Sequence, residues 1–428
     1  MGNALIGELK ARGLIAQVSD EAGLAGHLDG GSRTVYCGFD PTADSLHIGN
    51  LVPLLTLRRF QAHGHRPILL LGGATGLIGD PSGRTDERSL NETDVVAGWV
   101  DRIRGQVERL VSFEGNNAAV IENNLDWTAN LDVISFLRDI GKYFSVNAMI
   151  QRESVKGRLD RDEHGISYTE FSYMLLQAMD YAELAERHNC TVQIGGSDQW
   201  GNILSGMDLV RRKLGREAYA LTVPLITKAD GTKFGKTASG AVWLDGARTS
   251  PYAFYQFWLN TADADVAHFL KVFTFLPLDE IEALMAALEA APGARAAQKA
   301  LAVEVTRLLH GDDALESAQR ITEALFSGSV DALTEPDLEQ LRQDGMDTTA
   351  VASESVGLLT LLADAGLAPS RSQARKLVTS GGVRVNGAVV ADPESELDFS
   401  DALFGRFYLL RRGKKNWHLV AKNRAQTQ

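Results

Sequence analysis

The stretch "TVYCGFDPTADSLHIGNLVPLLTLRRF", residues 34–60, decides the fold. It opens with an apolar run typical of a buried strand and closes with a helical pattern whose leucines fit one face. A loop containing a histidine and a glycine joins the two. Similar apolar runs at 67–73, 117–121, 191–195 and 221–227 alternate with helical patterns such as 51–63 and 168–188. This alternation predicts an α/β fold with a Rossmann-like, mostly parallel sheet covered on both faces.

The strand signals stop near residue 250, and the chain then changes character. We predict a Rossmann-like catalytic domain over 1–249 and an all-helical domain over 250–328. Residues 329–352 are acidic and poor in bulky apolar side chains, which indicates a linker with one short helix. Residues 353–428 combine two helices with short strands and glycine turns, which predicts a small α+β domain.

Composition places the chain among ordinary soluble globular proteins. It has 428 residues, of which 44% are hydrophobic and 23% charged. There is no apolar run of about 18 residues, and the N-terminus is charged, so we expect a cytoplasmic protein with no membrane partner. The two cysteines, Cys37 and Cys190, form no paired motif, and we expect free thiols with no structural zinc.

Charge is unevenly distributed along the chain. The net charge is -12, which argues against a protein that coats nucleic acid by bulk electrostatics. From Val351 to the end there are eleven Lys and Arg against seven Asp and Glu, a balance of +4 that leaves -16 for the rest. A basic C-terminal domain on an acidic body can contact an anionic polymer at one place.

The loop before the helix at 51–63 has the features of an anion site. A helix start presents unpaired N–H groups and a positive dipole end, and His47 could donate a further hydrogen bond. Gly49 has no side chain and would let a nucleotide base rest against the backbone. The alternative is that His47 is a surface or capping residue and Gly49 only a turn.

A second loop, "ITKADGTKFGKT" at 226–237, adds positive charge. An Asp-Gly turn signal precedes Lys233 and Lys236, with Gly235 between them for backbone freedom. Two ammonium groups on such a loop can close over a polyphosphate and release it. Taken alone, lysines in a loop are usually only solvated.

Polar residues also line one face of the helical pattern at 168–188. Tyr173, Gln177 and Asp180 are spaced four and three residues apart and therefore share a face. Buried polar side chains need hydrogen-bond partners, which a polar ligand can supply. The alternative is a half-exposed helix face.

Together these stretches resemble a known family. "HIGN" and "KFGKT" are similar to the HIGH and KMSKS signatures of class I aminoacyl-tRNA synthetases. In detail the chain resembles the bacterial tyrosyl-tRNA synthetases over essentially its whole length. The resemblance includes "GGATGLIGDPSGR", "TEFSYMLLQAMDY", "QIGGSDQWGN" and a C-terminal "SRSQARKLV…RVNG" like the S4 RNA-binding fold.

The resemblance implies a two-step reaction. Tyrosine is activated by ATP to tyrosyl-adenylate and pyrophosphate, and the tyrosyl group then passes to the 3′ end of tRNA(Tyr). Positioning and charge stabilisation suffice for such transfers, so no covalent nucleophile is required. Mg²⁺ is expected to accompany ATP as substrate, with no metal held tightly by the protein.

The resemblance also assigns site residues. The catalytic set is Thr42 and His47 on the γ-phosphate side, with Lys233 and Lys236 closing on pyrophosphate; Arg84 and Arg88 are further candidate cations. ATP would also contact Gly49, Asn50 and Asp198. Tyrosine would be bound through its hydroxyl by Tyr36 and Asp180, through its ammonium by Asp80, Tyr173 and Gln177, and within reach of Gln199. Such a pocket rejects phenylalanine, so no editing domain is expected.

Partners follow from the same resemblance. For tRNA we expect Arg371, Arg375, Arg411, Arg412, Lys414 and Lys415, because cations beside Trp417 suit phosphate contacts and stacking. The helical region 250–328 would contact the anticodon part of the tRNA. A homodimer is expected through segments near "FLRDIGKYFSVNAMI", residues 136–150.

One residue departs from the motif, and two other functions compete. Asn50 stands where the family often has a second histidine, and its side-chain N–H can still reach ribose or phosphate. A tryptophanyl enzyme shares both signatures, but Tyr36 with Asp180 favours a phenol and the S4-like domain is not expected there. An RNA-binding protein on a decayed synthetase body should have lost His47 or the lysines, which are present.

Overall fold

The computed structural model describes residues 2–82, 91–152, 155–156, 159, 165–232, 234–237 and 240–423, except for the side chains of residues 236 and 237. These divide into two compact units. The first comprises Met1–Asp245 with Ala262–Ala297, and the second Gly246–Thr261 with Gln298–Gln428. The division into a catalytic domain, a helical domain, a linker and an S4-like domain at the predicted boundaries stays a prediction.

A mainly parallel sheet forms the centre of the first unit. Its strands are β1 (Gln17–Val18), β2 (Thr34–Phe39), β3 (Arg66–Leu71), β4 (Val120–Asn123), β5 (Cys190–Gly196) and β6 (Tyr219–Val223), in the order β1-β6-β5-β2-β3-β4. Only β1 pairs antiparallel, at the edge against β6. The predicted Rossmann-like sheet is therefore confirmed. The two-residue β1 is too short to carry a periodic signal.

The strand order creates a crevice between β2 and β5. After β2 the chain builds β3 and β4 on one side, and then returns to build β5 and β6 on the other. The carboxyl ends of β2 and β5 consequently lie side by side, with Tyr36 opposite Gln193. Open α/β sheets bind ligands at such a switch point.

Helices cover this sheet. Those of the first unit are Gly2–Ala11, Glu21–Asp29, Leu51–Ala62, Thr75–Ile78, Thr93–Val107, Leu125–Thr128, Val133–Ser135, Val146–Ile150, Tyr168–His188, Trp200–Leu209, Asp263–Phe273 and Leu278–Ala290. Two of them match the predicted helical patterns. In the helix Leu51–Ala62 the leucines of the predicted face are fully buried. The helix Tyr168–His188 begins where the hydroxyl of Ser167 caps the Glu170 N–H and ends at Asn189 in the left-handed region.

The second unit combines helices with a small mixed sheet. Its helices are Pro251–Leu259, Ala296–His310 from Gln298 onward, Asp312–Ser327, Glu335–Gln340, Leu358–Asp364 and Arg371–Thr379. Its sheet has the order β12-β11-β14-β15-β9, from Ala388–Val389, Val383–Val385, Phe407–Arg412, Asn416–Lys422 and Thr348–Val351; β10 (Ser355–Gly357) pairs with β13 (Glu396–Asp398). The short hairpin β7 (Lys236–Thr237) and β8 (Gly240–Ala241) belongs to the first unit.

The segment predicted as a linker contains more structure than one short helix. The helix is Glu335–Gln340, and β9 follows at Thr348–Val351 in parallel pairing with β15. Beyond it, Leu358, Leu362, Ala374, Leu410 and other side chains of helices and strands share one apolar core. The small α+β domain is therefore confirmed. Two strands, β9 and β10, precede its helices. The sequence did not indicate β9, because this strand is polar and its partner β15 lies some seventy residues later.

Candidate active site

Asp180 is the most deeply buried carboxylate of the crevice. It lies on the helix Tyr168–His188, where Asn124 Nδ2 donates to it at 3.0 Å and Trp127 Nε1 at 2.9 Å. Burial raises the pKa of Asp180 to about 7, although both donors favour the ionised form. The pocket therefore holds a carboxylate that can accept one more hydrogen bond from a ligand. Asn124 and Trp127 were not predicted, because nothing in their local sequence marks them.

Three polar side-chain atoms of the crevice lack a partner among the described residues. In the part of the chain that the structure describes, no hydrogen-bond partner reaches the hydroxyl of Tyr36 or Oε1 of Gln177 and Gln193. Tyr36 and Gln193 are buried and directly opposite in adjacent strands, so they project from the same face of the sheet. Buried polar atoms are rarely left unpaired, which indicates a place for a polar ligand. Gln193 was missed, although its position two residues before the Gly-Gly pair marks the end of a strand.

A second carboxylate fixes the ring of Tyr173. Asp40, directly after β2, accepts hydrogen bonds from Tyr173 Oη at 2.7 Å and Thr75 Oγ1 at 2.6 Å. Burial and the charges of Asp40 and Asp80 raise the pKa of the Tyr173 phenol. Asp40 and Thr75 were also missed, although both follow strands of the sheet at the ligand-binding edge.

Asp80 and Gln199 are hydrogen-bonded to each other. Gln199 Nε2 donates to Asp80 at 2.6 Å, and the backbone N–H of Ser82 donates to the other carboxylate oxygen at 2.9 Å. Asn202 Nδ2 contacts both Gln199 Oε1 and Ser82 Oγ at 3.3 Å. The sequence thus predicted two members of a network whose further members come from distant segments.

Asp198 lies exposed beyond the end of β5. Surrounding protein atoms, and then the charge of Asp80, raise the pKa of its carboxyl group. An added Cβ at Gly196 would lie 2.5 Å from Asp198 Oδ1, so the glycine leaves room for this side chain. Asp198 is accordingly accessible to a ligand at the strand end.

His47 and Asn50 form a capping box at the start of the first signature helix. His47 Nδ1 accepts from the Gly49 N–H at 3.0 Å, and Asn50 Oδ1 accepts from the His47 N–H at 3.1 Å. Nearby protein atoms lower the pKa of the exposed His47 ring, which favours neutral imidazole. Thr42 is exposed in the same loop. The capping alternative for His47 is therefore observed, and its ring remains accessible.

The two signature loops are in direct contact. The Ile48 N–H donates to the carbonyl of Val242 at 2.9 Å, and the Val242 N–H donates to the carbonyl of Gly235 at 3.0 Å. Lys236 lies in β7, but its side chain falls outside the described atoms, and Lys233, Arg84 and Arg88 lie outside the described residues. Phosphate contacts by these cations stay a prediction.

The predicted tRNA contacts all belong to the second unit. Arg411 stacks on Trp417 at 4.9 Å across the β14–β15 hairpin, whose turn exposes Lys414 and Lys415. Arg412 donates to the carbonyl of Leu367. Arg371 and Arg375 are exposed on the helix Arg371–Thr379, and Arg375 pairs with Glu394 at 2.6 Å. Their binding to RNA stays a prediction.

Within the described ranges, no group of three or more His, Cys, Asp and Glu side chains could hold a metal ion. No helix among the described segments is both long and apolar enough to cross a bilayer.

A parallel sheet with a crevice at its switch point, a capped histidine loop and an adjoining lysine-containing loop agree with the class I aminoacyl-tRNA synthetases. Residues 29–327 match the family model "tRNA synthetases class I (W and Y)", and residues 337–420 match "Tyrosine--tRNA ligase SYY-like C-terminal domain". The chain belongs to this family of class I synthetases, and within it to the tyrosine–tRNA ligases.

Individual relatives agree with this assignment. The chain is 57% identical to the tyrosine–tRNA ligase of Dechloromonas aromatica, over 97% of this chain and 98% of the relative. It is 58% identical to that of Klebsiella pneumoniae, over 97% of both chains. A C-terminally truncated mitochondrial tyrosyl-tRNA synthetase of Aspergillus nidulans superposes with a TM-score of 0.68 at 32% identity, covering 75% of this chain and 94% of the other.

Proposed function

We propose that this crevice performs tyrosine–tRNA ligation in two steps. A carboxylate oxygen of tyrosine attacks the α-phosphorus of ATP, and pyrophosphate leaves. A hydroxyl of the terminal ribose of tRNA(Tyr) then attacks the tyrosyl carbonyl carbon, and AMP leaves. The observation that carries the proposal is the buried Asp180 beside the hydroxyl of Tyr36, which has no hydrogen-bond partner among the described residues. The hydroxyl of a phenol can donate to the Asp180 carboxylate and accept from the Tyr36 hydroxyl.

The ammonium end of tyrosine fits the opposite group of side chains. Gln177 offers an unpaired Oε1, and the carboxylate of Asp80 offers negative charge. Tyr173, held by Asp40, fixes the distance between these groups and the phenol site. An ammonium group would offset the repulsion between the carboxylates of Asp40 and Asp80. This gives the pocket a preference for a free amino acid.

ATP would occupy the face formed by the signature loops. We assign Thr42 and His47 to the phosphates, Gly49 and Asn50 to the adenosine, and Asp198 to the ribose hydroxyls. Lys233 and Lys236 would stabilise the pyrophosphate as it leaves. Mg²⁺ enters bound to ATP and belongs to the substrate rather than to the protein.

The second unit would hold the tRNA. The exposed turn at Lys414 and Lys415 and the stacked pair Arg411–Trp417 offer charge and an aromatic surface together. Arg371, Arg375 and Arg412 extend the same basic domain, and the helical region 250–328 would contact the anticodon part. The net positive charge from Val351 onward supports this assignment.

We also propose a homodimer in the cytoplasm. Val133, Ile134, Leu137 and Val146 are exposed large apolar side chains within or beside the predicted segment 136–150. Contiguous exposed apolar side chains mark interaction sites, and a second copy of the chain is the occupant that we infer. Sedimentation of the purified chain should give twice the monomer mass, and a monomer at micromolar concentration would contradict the proposal.

Pyrophosphate exchange tests the proposed reaction. Purified protein should exchange labelled pyrophosphate into ATP only when tyrosine is added. Lys236→Ala should slow this exchange about 10²-fold or more, because charge-stabilising contacts commonly contribute that much. Exchange driven by tryptophan, or no exchange with tyrosine, would overturn the assignment.

A further inference from the structure

Phe234, which lies between the two lysines of the second signature, is held by aromatic side chains. Its ring centroid lies 4.8 Å from that of Phe269 in an edge-to-face arrangement and 5.2 Å from that of Phe273 in a stacked one. Both partners lie on the helix Asp263–Phe273, and both are buried. Aromatic pairs in these geometries add to the free energy of burial. Phe234 is thus anchored, although it lies in a loop.

Gly235 is pressed against the first signature loop. Its φ of +81° lies in the left-handed region, and an added Cβ would stand 2.5 Å from Ile48 Cγ2. Its carbonyl accepts the Val242 N–H at 3.0 Å. The residue after Phe234 therefore has a fixed position relative to the "HIGN" loop.

The same helix holds the upstream end of the lysine loop. The Ala229 N–H donates to Asp265 Oδ1 at 2.6 Å, within the turn that is closed by a hydrogen bond from the Gly231 N–H to the Lys228 carbonyl at 2.9 Å. Asp265 is buried and lies four residues before Phe269 on the helix Asp263–Phe273. Two separate contacts therefore attach the loop to a single helix.

That helix is in turn attached to the helix of the first signature. Arg59, on the helix Leu51–Ala62, donates to the carbonyl of Thr274 at 2.6 Å and lies 4.2 Å from the ring centroid of Phe275. Arg12 donates to the carbonyl of Leu276 at 2.9 Å. Helix Asp263–Phe273 is thereby fixed at its C-terminal end to the element that carries His47 at its start.

We propose that Phe234 is a positioning residue. With Gly235 it attaches the second signature loop to the body of the first unit, and the placement of Lys233 and Lys236 against the reacting phosphates depends on this attachment. The inference rests on the proposed function and extends it. Anchoring at Phe234 and Gly235 holds this part of the loop at a fixed distance from the "HIGN" loop. Well-positioned groups contribute much of the rate in such transfers, and small displacements cost large factors.

The test compares Phe234→Ala with Phe234→Leu, and uses Phe113→Ala as a matched control. Phe113 is a partly exposed phenylalanine of the same unit, and no role is assigned to it. We expect Phe234→Ala to lower kcat for pyrophosphate exchange at least tenfold, with the Kd for tyrosine within twofold of wild type. Phe234→Leu, which keeps the apolar contact, should stay within about threefold, and Phe113→Ala should match wild type. An unchanged rate for Phe234→Ala, or a parallel loss of tyrosine binding, would overturn the proposal.

A double-mutant comparison separates positioning from general damage. If Phe234 acts through Lys236, adding Lys236→Ala to Phe234→Ala should lower the rate much less than it does in the wild-type background. Fully multiplicative effects would contradict the proposal. Exchange by the wild-type protein tests the proposed function separately, because it requires tyrosine whatever the role of Phe234.

Discussion

The proposed preference for a phenol rests on single residues of the crevice. Asp180 is an acceptor with two neutral donors, and Tyr36 presents a hydroxyl that no group of the described residues satisfies. Replacing either side chain by an apolar one would remove the reason for a hydroxyl at that place. The selectivity that we propose for the site is therefore located in two side chains from different elements.

Tyrosine binding should depend on pH through Asp180. Its pKa in the empty site is about 7, and an incoming phenol donates best to the ionised carboxylate. Below pH 7 the ligand must displace a proton, so the Kd for tyrosine should rise toward tenfold per pH unit between pH 7 and 6 and level off above pH 8. Calorimetric titration at several pH values measures this. A Kd that is constant from pH 6 to 8 would contradict the assignment.

The contribution of Asp180 to the free energy of unfolding should change with pH in the opposite direction to the affinity for tyrosine. The folded-state pKa of Asp180 is raised, so its neutral form favours folding, and this contribution is lost as pH rises from about 4 to about 7. Bound tyrosine offsets the loss because it favours the ionised form. The two effects together explain why a buried carboxylate can persist in this pocket.

At the scale of elements, the first signature is a helix start closed by its own side chains. The Asn50 side chain accepts the His47 N–H and the His47 ring accepts the Gly49 N–H, so the residue that departs from the familiar motif takes part in the cap. The acceptor that Asn50 contributes to this box is its side-chain oxygen Oδ1.

Asn50→Ala should therefore destabilise the helix start. Loss of the capping acceptor is expected to lower the free energy of unfolding by about 1 kcal/mol. Urea unfolding measures this difference, and Asn50→Asp, which keeps the acceptor, is the matched control. Equal stability of the alanine variant and wild type would show that the box contributes nothing.

A second element-scale prediction concerns the helix Glu335–Gln340. Asp337 is fully buried in this helix and accepts two hydrogen bonds from Arg320, at 2.7 and 2.9 Å, and one from Ser317. Burial opposes its charge, yet these donors hold its pKa below the usual range. Arg320→Ala should lower the free energy of unfolding of the second unit by roughly 2 kcal/mol at pH 7, a value reduced for the partial exposure of Arg320.

The measurement is chemical denaturation followed at two pH values. Because the folded pKa of Asp337 is lowered, the stabilising pair is complete above about pH 4 and is lost as the carboxylate protonates below it. The difference between wild type and Arg320→Ala should shrink at pH 3. A difference that stays constant with pH would show that the guanidinium contributes by packing alone.

The sequence predicted the elements well where one segment carried the whole signal. The helix Tyr168–His188 and the strands of the parallel sheet show their periodicity locally. Thr348–Val351 escaped prediction because its partner, β15, lies at the other end of the domain. Asn124, Trp127, Asp40 and Gln193 were missed for the same reason: their roles come from neighbours that only folding brings together.

For the whole molecule, function requires a crevice for small substrates and a basic surface for an RNA. The crevice lies in the first compact unit, and the predicted RNA surface lies in the second. This separation predicts that charge changes in the S4-like domain affect the second reaction step and leave the first intact.

Lys414→Ala and Lys415→Ala test that separation. Each should weaken tRNA charging in kcat/KM and reduce its salt dependence, because each removed phosphate contact lowers the salt slope by about one. Tyrosine-dependent pyrophosphate exchange serves as the internal control and should stay within twofold of wild type. Charging that is unchanged at all salt concentrations would remove this turn from the tRNA surface.

The central claim is that Tyr36 and Asp180 select tyrosine by its hydroxyl, and the amino-acid preference of pyrophosphate exchange tests it most directly. We predict that kcat/KM for tyrosine exceeds that for phenylalanine by orders of magnitude in the wild-type protein, because phenylalanine would leave buried polar atoms unpaired. Tyr36→Phe should reduce this ratio about two- to tenfold, which corresponds to one hydrogen bond. A wild-type protein that uses phenylalanine or tryptophan as readily as tyrosine, or a ratio unchanged by Tyr36→Phe, would contradict the claim.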